Sequence, residues 1–251
     1  MWKVKWWRVV VALAAFFAVS YLLAATASYF LPWYLARKLS RDSLNLGIVP
    51  TPPPDKSVAK LEGPRFEQFE FSFQVPWQEV EQQKTSKMIS VLSFKKGATL
   101  LVMNPSVALD NKRIVQGAET EGQDANAIRG VLGILALSSN YDLLAAELEA
   151  TPAHVKWWAT PRENTRSMVL LGLKSMEANE ANAIYKASND EMHGFQIGNP
   201  AVAPFRVRLV LFDRNDRRYE IWINVHEGRV PVLSQAEVNG IVASIRPIPH
   251  S

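Results

Sequence analysis

The 251-residue sequence contains no cysteine. This absence excludes a disulfide scaffold, a metal site held by thiolates and a cysteine nucleophile. The sequence also lacks the motifs GxxxxGK[ST], GxGxxG, HExxH and GxSxG, which mark nucleotide binding, zinc proteolysis and serine hydrolysis. We therefore predict no cofactor, no metal and no catalytic residue from motifs, and this interpretation favours a protein that is not an enzyme.

Acidic residues are absent from residues 1–41, which carry six of the 28 Lys and Arg residues. The other 210 residues therefore hold 22 basic and 24 acidic side chains, so the net charge of +4 comes from the N-terminal segment. A nucleic-acid binder needs its basic charge on the binding domain, where it can displace counterions from phosphates. The charge distribution therefore predicts no nucleic-acid partner.

Charged residues are also absent from residues 9–36. Within this stretch, residues 9–31 are 23 mostly Val, Ala, Leu and Phe residues. As a helix they would be about 35 Å long, against a hydrocarbon core of about 30 Å. Trp and Tyr flank the run, together with Lys and Arg on both sides. The pattern predicts a basic cytoplasmic tail over 1–8 and a transmembrane helix over 9–31 that Pro32 ends, with the lipid bilayer as partner.

The orientation of this span is less strongly marked, because three Lys or Arg residues stand on each side of it. A short basic tail before the apolar run is typical of a signal-anchor, which leaves the tail in the cytoplasm. We predict a single-pass protein of the inner (cytoplasmic) membrane with a periplasmic domain. The alternative is a secreted domain, cleaved after Ala27 at the small-x-small site Ala25-Thr26-Ala27, although the apolar run exceeds a usual signal-peptide core.

Prolines are concentrated after the apolar run, with five between Pro50 and Pro64. Proline fixes φ and favours extended backbone, so residues 32–64 are predicted to form a semi-rigid juxtamembrane linker. A globular domain is predicted over 65–248. It opens with an alternating strand over residues 69–75, followed by two apolar runs whose separation by Lys95-Lys96-Gly97 predicts a hairpin.

Helix signals occupy the middle of the domain, where Asp124 and Asn140 can each cap a helix. Thr160-Pro161 with Glu163 forms a capping box that opens a helix with apolar residues on most sides, which we expect at the centre of the core.

The last third returns to strands. Alternating residues over 205–212 and 219–225, joined by a polar turn, predict a hairpin. Ser234 and Glu237 form a second capping box before a final helix. This order predicts an α+β fold in which an antiparallel sheet packs against helices.

Four stretches carry a family resemblance: FEFSFQVPW, HGFQIG, the hairpin LVLFDRNDRRYEIWI and the closing SQAEVNGIVASIRP. In this order they resemble the Mog1/PsbP-like sandwich and, more narrowly, membrane-anchored bacterial proteins that carry such a domain. The resemblance covers residues 65–247 and brings no catalytic residues with it. It implies a role in binding or assembly.

Two surface features are candidate sites. Arginines cluster on the predicted hairpin, where they could meet an anionic partner or lipid headgroups, although interleaved acids also favour a salt-bridged hairpin. These are Arg206, Arg208, Arg214, Arg217 and Arg218. The second feature is Trp157-Trp158, which would be an interface anchor if either ring faces outwards.

These features lead to one preferred function and two alternatives. We predict a single-pass, membrane-tethered extracytoplasmic binding or assembly domain without catalytic activity, with a protein partner in or at the membrane. One alternative is a membrane-anchored metal-dependent or hydrolytic enzyme that uses His193 with Asp190 or Glu191. The other is a carrier of lipid or a small ligand, which needs an apolar cavity.

Overall fold

The computed structural model describes eight stretches of the chain: residues 6–42, 44–95, 98–106, 130–133, 138–178, 181–202, 205–225 and 233–248. In the first helix it describes side chains over residues 17–40. The helix start predicted at Asp124, residues 96–97 of the predicted hairpin turn and residues 1–5 of the predicted tail lie outside these stretches.

A large antiparallel sheet forms the centre of the domain, in the order β3-β4-β5-β9-β8-β7-β6. Its strands are β3 Val80–Thr85, β4 Ile89–Phe94, β5 Ala98–Met103, β6 Ile184–Ser188, β7 His193–Ile197, β8 Arg206–Phe212 and β9 Arg218–Val225. The two predicted hairpins are confirmed, because β4 pairs with β5 and β8 pairs with β9, both antiparallel. The fold is therefore α+β, with antiparallel sheets packed against helices.

A small sheet and one helix cover one face of the large sheet. The small sheet pairs β1 Arg65–Gln68, β2 Phe71–Gln74 and β10 Arg246–Pro247. Helix α4, Gln235–Ser244, starts at the predicted capping box and packs Val238 and Ile241 into the apolar cluster between the sheets. Phe69 was predicted inside a strand, but it lies in the two-residue turn between β1 and β2 with a φ of 56°. Alternation of apolar residues does not reveal a turn that lacks glycine.

Helix α2, Asn140–Glu149, packs on the other face of the large sheet. Helix α3, Pro161–Glu177, packs against α2 and against the first helix of the chain. The capping box that opens α3 is confirmed. The prediction that Asn140 caps α2 is wrong by one residue, since the hydroxyl of Ser139 accepts the backbone N–H of Asp142. The Asn140 N–H instead donates to the carboxylate of Asp216 in the β8–β9 turn, 2.6 Å away, so this turn fixes where α2 begins.

Helix α1 is much longer than the predicted span and runs over Trp6–Asp42. The prediction that Pro32 ends it is wrong, because the helix continues for ten residues beyond. Proline removes one N–H donor and crowds the preceding turn. The turn that follows nevertheless packs on the domain: Ala36 is fully buried in an apolar cluster with Leu171 of α3, and Trp33 packs against that cluster. The part of α1 that follows Pro32 is therefore packed against the domain.

The described residues contain no helix whose length and hydropathy meet the usual requirement for crossing a membrane. The side chains of residues 9–16, which belong to the predicted span over 9–31, lie outside the described part of the structure.

The segment that follows α1 lies along the domain, whereas the sequence predicts a spacer over 32–64. A short 3-10 helix spans Leu44–Gly47. Thr51 then forms a parallel bridge to Tyr185 at the β6 edge, where its N–H donates to the Ile184 carbonyl at 3.0 Å. Further on, the Ala59 N–H donates to the Ala236 carbonyl of α4 at 3.0 Å. The proline-rich stretch thus covers a sheet edge that would otherwise be open to pairing with another chain.

Lys174 of α3 joins this segment to the helical layer. Its side chain is fully buried, and its ammonium group donates to three backbone carbonyls: Leu46 at 3.2 Å, Ile48 at 2.5 Å and Ala150 at 2.7 Å. All three donors of the ammonium group are used, which offsets part of the cost of burying a charge. Burial nevertheless lowers the pKa of Lys174 to about 8.

We expect Lys174→Met to destabilise the domain by about 1–3 kcal/mol at neutral pH, because three buried carbonyls lose their donor. Because the pKa of Lys174 falls from 10.5 in the unfolded chain to about 8 in the folded chain, the unfolded chain holds more protons at this side chain between pH 8 and 10.5. Wild-type stability should therefore rise relative to the variant over that window. Urea unfolding of both proteins in detergent, followed by tryptophan fluorescence at several pH values, checks this; a constant difference would contradict it.

Candidate functional site

Two of the five arginines predicted to face an anionic partner form ion pairs within the domain instead. Arg208 and Arg218 lie on adjacent strands β8 and β9, and both reach Glu177 at the end of α3 and Glu220 of β9. The Glu177 carboxylate is 2.8 Å from Arg208 Nη2 and 3.2 Å from Arg218 Nη2. Glu220 is 2.5 Å from Arg208 Nε and 2.9 Å from Arg218 Nη2. We call these four residues the ion cluster.

The ion cluster balances two positive charges against two negative charges away from water. Burial alone would raise the pKa of Glu220, but the guanidinium groups of Arg208 and Arg218 outweigh it and hold this pKa below its usual value. Burial alone would likewise lower the pKa of Arg218, whereas Glu220 and Glu177 raise it. The Trp222 indole N–H also donates to Glu220, and the Arg208 guanidinium lies over the Trp222 ring at 4.8 Å. The cluster thus joins α3 to the sheet.

The structure therefore differs from the predicted five-arginine surface. Arg208 and Arg218 are committed to the ion cluster, and Arg217 pairs with Glu70 in the turn between β1 and β2. Only Arg206 and Arg214 of the five have exposed side chains. Sequence reasoning noticed the acids interleaved on the hairpin but missed Glu177, which lies 31 residues before Arg208 and has no local pattern that indicates it.

The second predicted feature, Trp157-Trp158, is on the surface. The two side chains are 53% and 65% exposed, and their rings meet edge to face with centroids 5.6 Å apart. The Lys156 ammonium lies 5.8 Å from the centroid of the Trp158 ring. We call residues 156–160 the tryptophan loop. It connects the 3-10 turn Pro152–His154 to α3.

The tryptophan loop is held firmly in place. The Asn164 side chain of α3 is fully buried; its oxygen accepts the Lys156 N–H at 3.0 Å and its amide donates to the Lys156 carbonyl at 2.7 Å. At the other end, Thr160 and Glu163 form the capping box of α3. Both ends of the loop are thus fixed, so the exposure of its rings is a feature of the fold. Sequence reasoning found the tryptophans but missed Asn164.

The loop lies beside the end of α1. Helix α1 contacts α3 and the turn Pro152–His154. Val155, next to the loop, is buried in the same apolar cluster as Ala36 of α1. The chain therefore brings two exposed tryptophans next to the point where α1 meets the domain.

His193, the residue of the enzymatic alternative, is exposed at the start of β7. Its ring meets Tyr141 edge to face at 4.3 Å. Glu191 faces Arg246 instead, with its carboxylate 3.5 Å from Arg246 Nε. Within the described stretches, no group of three or more His, Cys, Asp or Glu side chains is placed to hold a metal ion.

No protein-family model, curated protein or solved structure matches this chain.

We expect Glu220→Gln to destabilise the domain by about 3–5 kcal/mol at neutral pH, because it leaves the buried guanidinium of Arg218 and the half-buried one of Arg208 with one carboxylate. The lowered pKa of Glu220 means that its stabilisation is present above the unfolded-state pKa, near 4.5, and is lost as the pH falls through the folded-state value. The difference between the two proteins should therefore shrink in acid, which urea unfolding at several pH values measures.

The matched control is Glu79→Gln, since Glu79 pairs with Lys95 at 2.7 Å while both side chains are about 65% exposed. Exposed pairs contribute little, so this variant should unfold like the wild type. Equal effects of the two substitutions would contradict the role given to the ion cluster.

Proposed function

We propose that this protein is a single-pass membrane protein whose α+β domain is held outside the cytoplasm as a binding or assembly module. In this proposal residues 9–31 cross the inner membrane, residues 1–8 are cytoplasmic, and the domain over 65–248 is periplasmic and meets a protein partner in or at the membrane.

One observation carries the membrane part of the proposal: α1 extends from the domain as an exposed apolar helix. Every residue from 17 to 31 is exposed except Ala25, which is half-buried. Leu22 and Leu23 are 61% and 65% exposed. An apolar surface of this extent is unfavourable in water, and hydrocarbon is the environment that suits a helix with apolar side chains all round. The sequence continues the uncharged run back to Val9.

The boundaries of the uncharged run also support a bilayer. Basic residues stand on both sides of it, and Phe30 and Trp33 meet edge to face at 5.2 Å near its end. The Arg37 guanidinium lies 5.6 Å from the centroid of the Trp33 ring. Aromatic rings and basic side chains in this order are typical of the region where a helix leaves the hydrocarbon.

The binding part of the proposal rests on how the domain is built. The charges of the ion cluster are paired with one another and join α3 to the sheet. The exposed tryptophans are the kind of side chains that interfaces use. Among the residues that the structure describes, His193 meets the Tyr141 ring and Glu191 meets Arg246, which supports the binding module over the enzymatic alternative.

We expect Leu22→Lys/Leu23→Lys to release the protein from membranes, whereas wild type should stay in the membrane pellet after alkaline carbonate washing. Each lysine near the middle of a span costs about 2.5–3.5 kcal/mol. The matched control is Val49→Lys/Val58→Lys, which adds the same charge at positions 41% and 60% exposed outside the proposed span. Wild-type protein found in the wash, or equal release of both variants, would contradict a membrane span.

The orientation needs its own measurement, because the flanking charges are balanced. A chain without cysteine is compatible with an oxidising compartment. We expect a protease added to spheroplasts to degrade the domain and leave a small membrane fragment. A domain that resists digestion until detergent is added would reverse the orientation. An N-terminus at Ser28 in the mature protein would instead indicate a secreted domain.

A further inference from the structure

The two rings of the tryptophan loop are large apolar groups that the domain leaves exposed. Trp157 and Trp158 are 53% and 65% exposed, while Val155 just before them is 3% exposed. The backbone around them is fixed by the hydrogen bonds of Asn164 and by the α3 capping box. A rigid loop that presents two tryptophans outwards resembles the pre-organised aromatic contacts of a binding surface.

The position of the loop along α1 indicates what it contacts. Ala36, which shares a cluster with Val155, lies five residues beyond Leu31, or about 7.5 Å along the helix axis. The interfacial region on each side of the hydrocarbon is about 5–8 Å thick. Trp157 is two residues from Val155, so its Cα lies within about 7 Å of that residue. If α1 spans the membrane as proposed, the loop therefore begins near the outer edge of the interfacial region, from which its rings can reach the headgroups.

The charges around the loop suit lipid headgroups. Residues 151–173 contain one acidic residue, Glu163, which is held in the capping box. Lys156, Arg162 and Arg166 in the same stretch are exposed, and Arg162 and Arg166 are four residues apart on α3, so they share one face. Anionic headgroups attract such a cluster, and tryptophan rings concentrate at the membrane interface.

We propose that Trp157 and Trp158 insert into the interface of the leaflet from which α1 emerges, so that the domain contacts the membrane at two places. This inference rests on the proposed membrane span. The partner that the loop contacts is lipid. Lys156, Arg162 and Arg166 favour a leaflet that contains anionic lipid. Two contacts fix the tilt of the domain, whereas a single helix followed by a flexible linker would leave it free to rotate.

The absence of cysteine allows a direct test on the full chain. Trp158→Cys carries a fluorophore at the proposed insertion point, and Met176→Cys carries it at a site 72% exposed near the other end of α3. Both proteins are reconstituted into phosphatidylcholine vesicles, with and without phosphatidylglycerol, that contain lipids bearing a spin-label quencher near the headgroup. We expect quenching at position 158 and none at position 176. Adding Trp157→Ala should reduce the quenching at 158, and phosphatidylglycerol should increase it.

The outcomes separate the two proposals. Protein that resists alkaline washing but shows no lipid quenching at position 158 would overturn this inference and leave the membrane span intact. Protein that washes off the vesicles would overturn the span, and this inference with it. A blue-shifted fluorophore at position 158 that lipid does not quench would indicate a contact between protein surfaces and would also overturn the inference. Equal quenching at positions 158 and 176 would mean that the loop has no special contact with lipid.

Discussion

The buried ammonium group of Lys174 is the contact on which the arrangement of the helical layer depends. It binds the carbonyls of Leu46 and Ile48, just after α1, and that of Ala150, just before the turn that leads to the tryptophan loop. A charge at this depth is tolerated only because all its donors are used, so the three segments cannot separate without leaving it unpaired. The end of α1 and the tryptophan loop therefore keep a fixed position relative to α3.

This constraint holds α1 and the tryptophan loop in one arrangement with α3. Ala36 and Val155 bury the contact between α1 and the turn before the loop, and the ion cluster fixes the far end of α3 to the sheet. In the proposed function, the domain is consequently a body of fixed orientation at the membrane. A domain on a flexible tether would search for its partner, whereas this arrangement presents one surface to it.

The sequence predicted well what depends on neighbouring residues. Alternation located the hairpin of β8 and β9, and the capping boxes at Thr160 and Ser234 located the starts of α3 and α4. It failed where the structure of a segment depends on contacts with residues far away in the sequence. Pro32 does not end α1, since the helix continues and packs on the domain at Ala36. Arg208 and Arg218 are not free, because both pair with Glu177, which belongs to α3. From the sequence, Lys174 would be expected on the surface of its helix. The three carbonyls that it binds come from other segments, so no local pattern indicates them.

Accessibility along α1 tests the central claim that one helix both enters the bilayer and packs on the domain. Single cysteines introduced from residue 17 to residue 40 of the full chain in vesicles can carry a spin label, read against oxygen and a water-soluble nickel complex. The account predicts high oxygen and low nickel accessibility over residues 17–31, low values for both at Ala36, where the domain covers the helix, and nickel accessibility at Lys38 and Ser40. Labels over residues 17–31 that are open to nickel would contradict it.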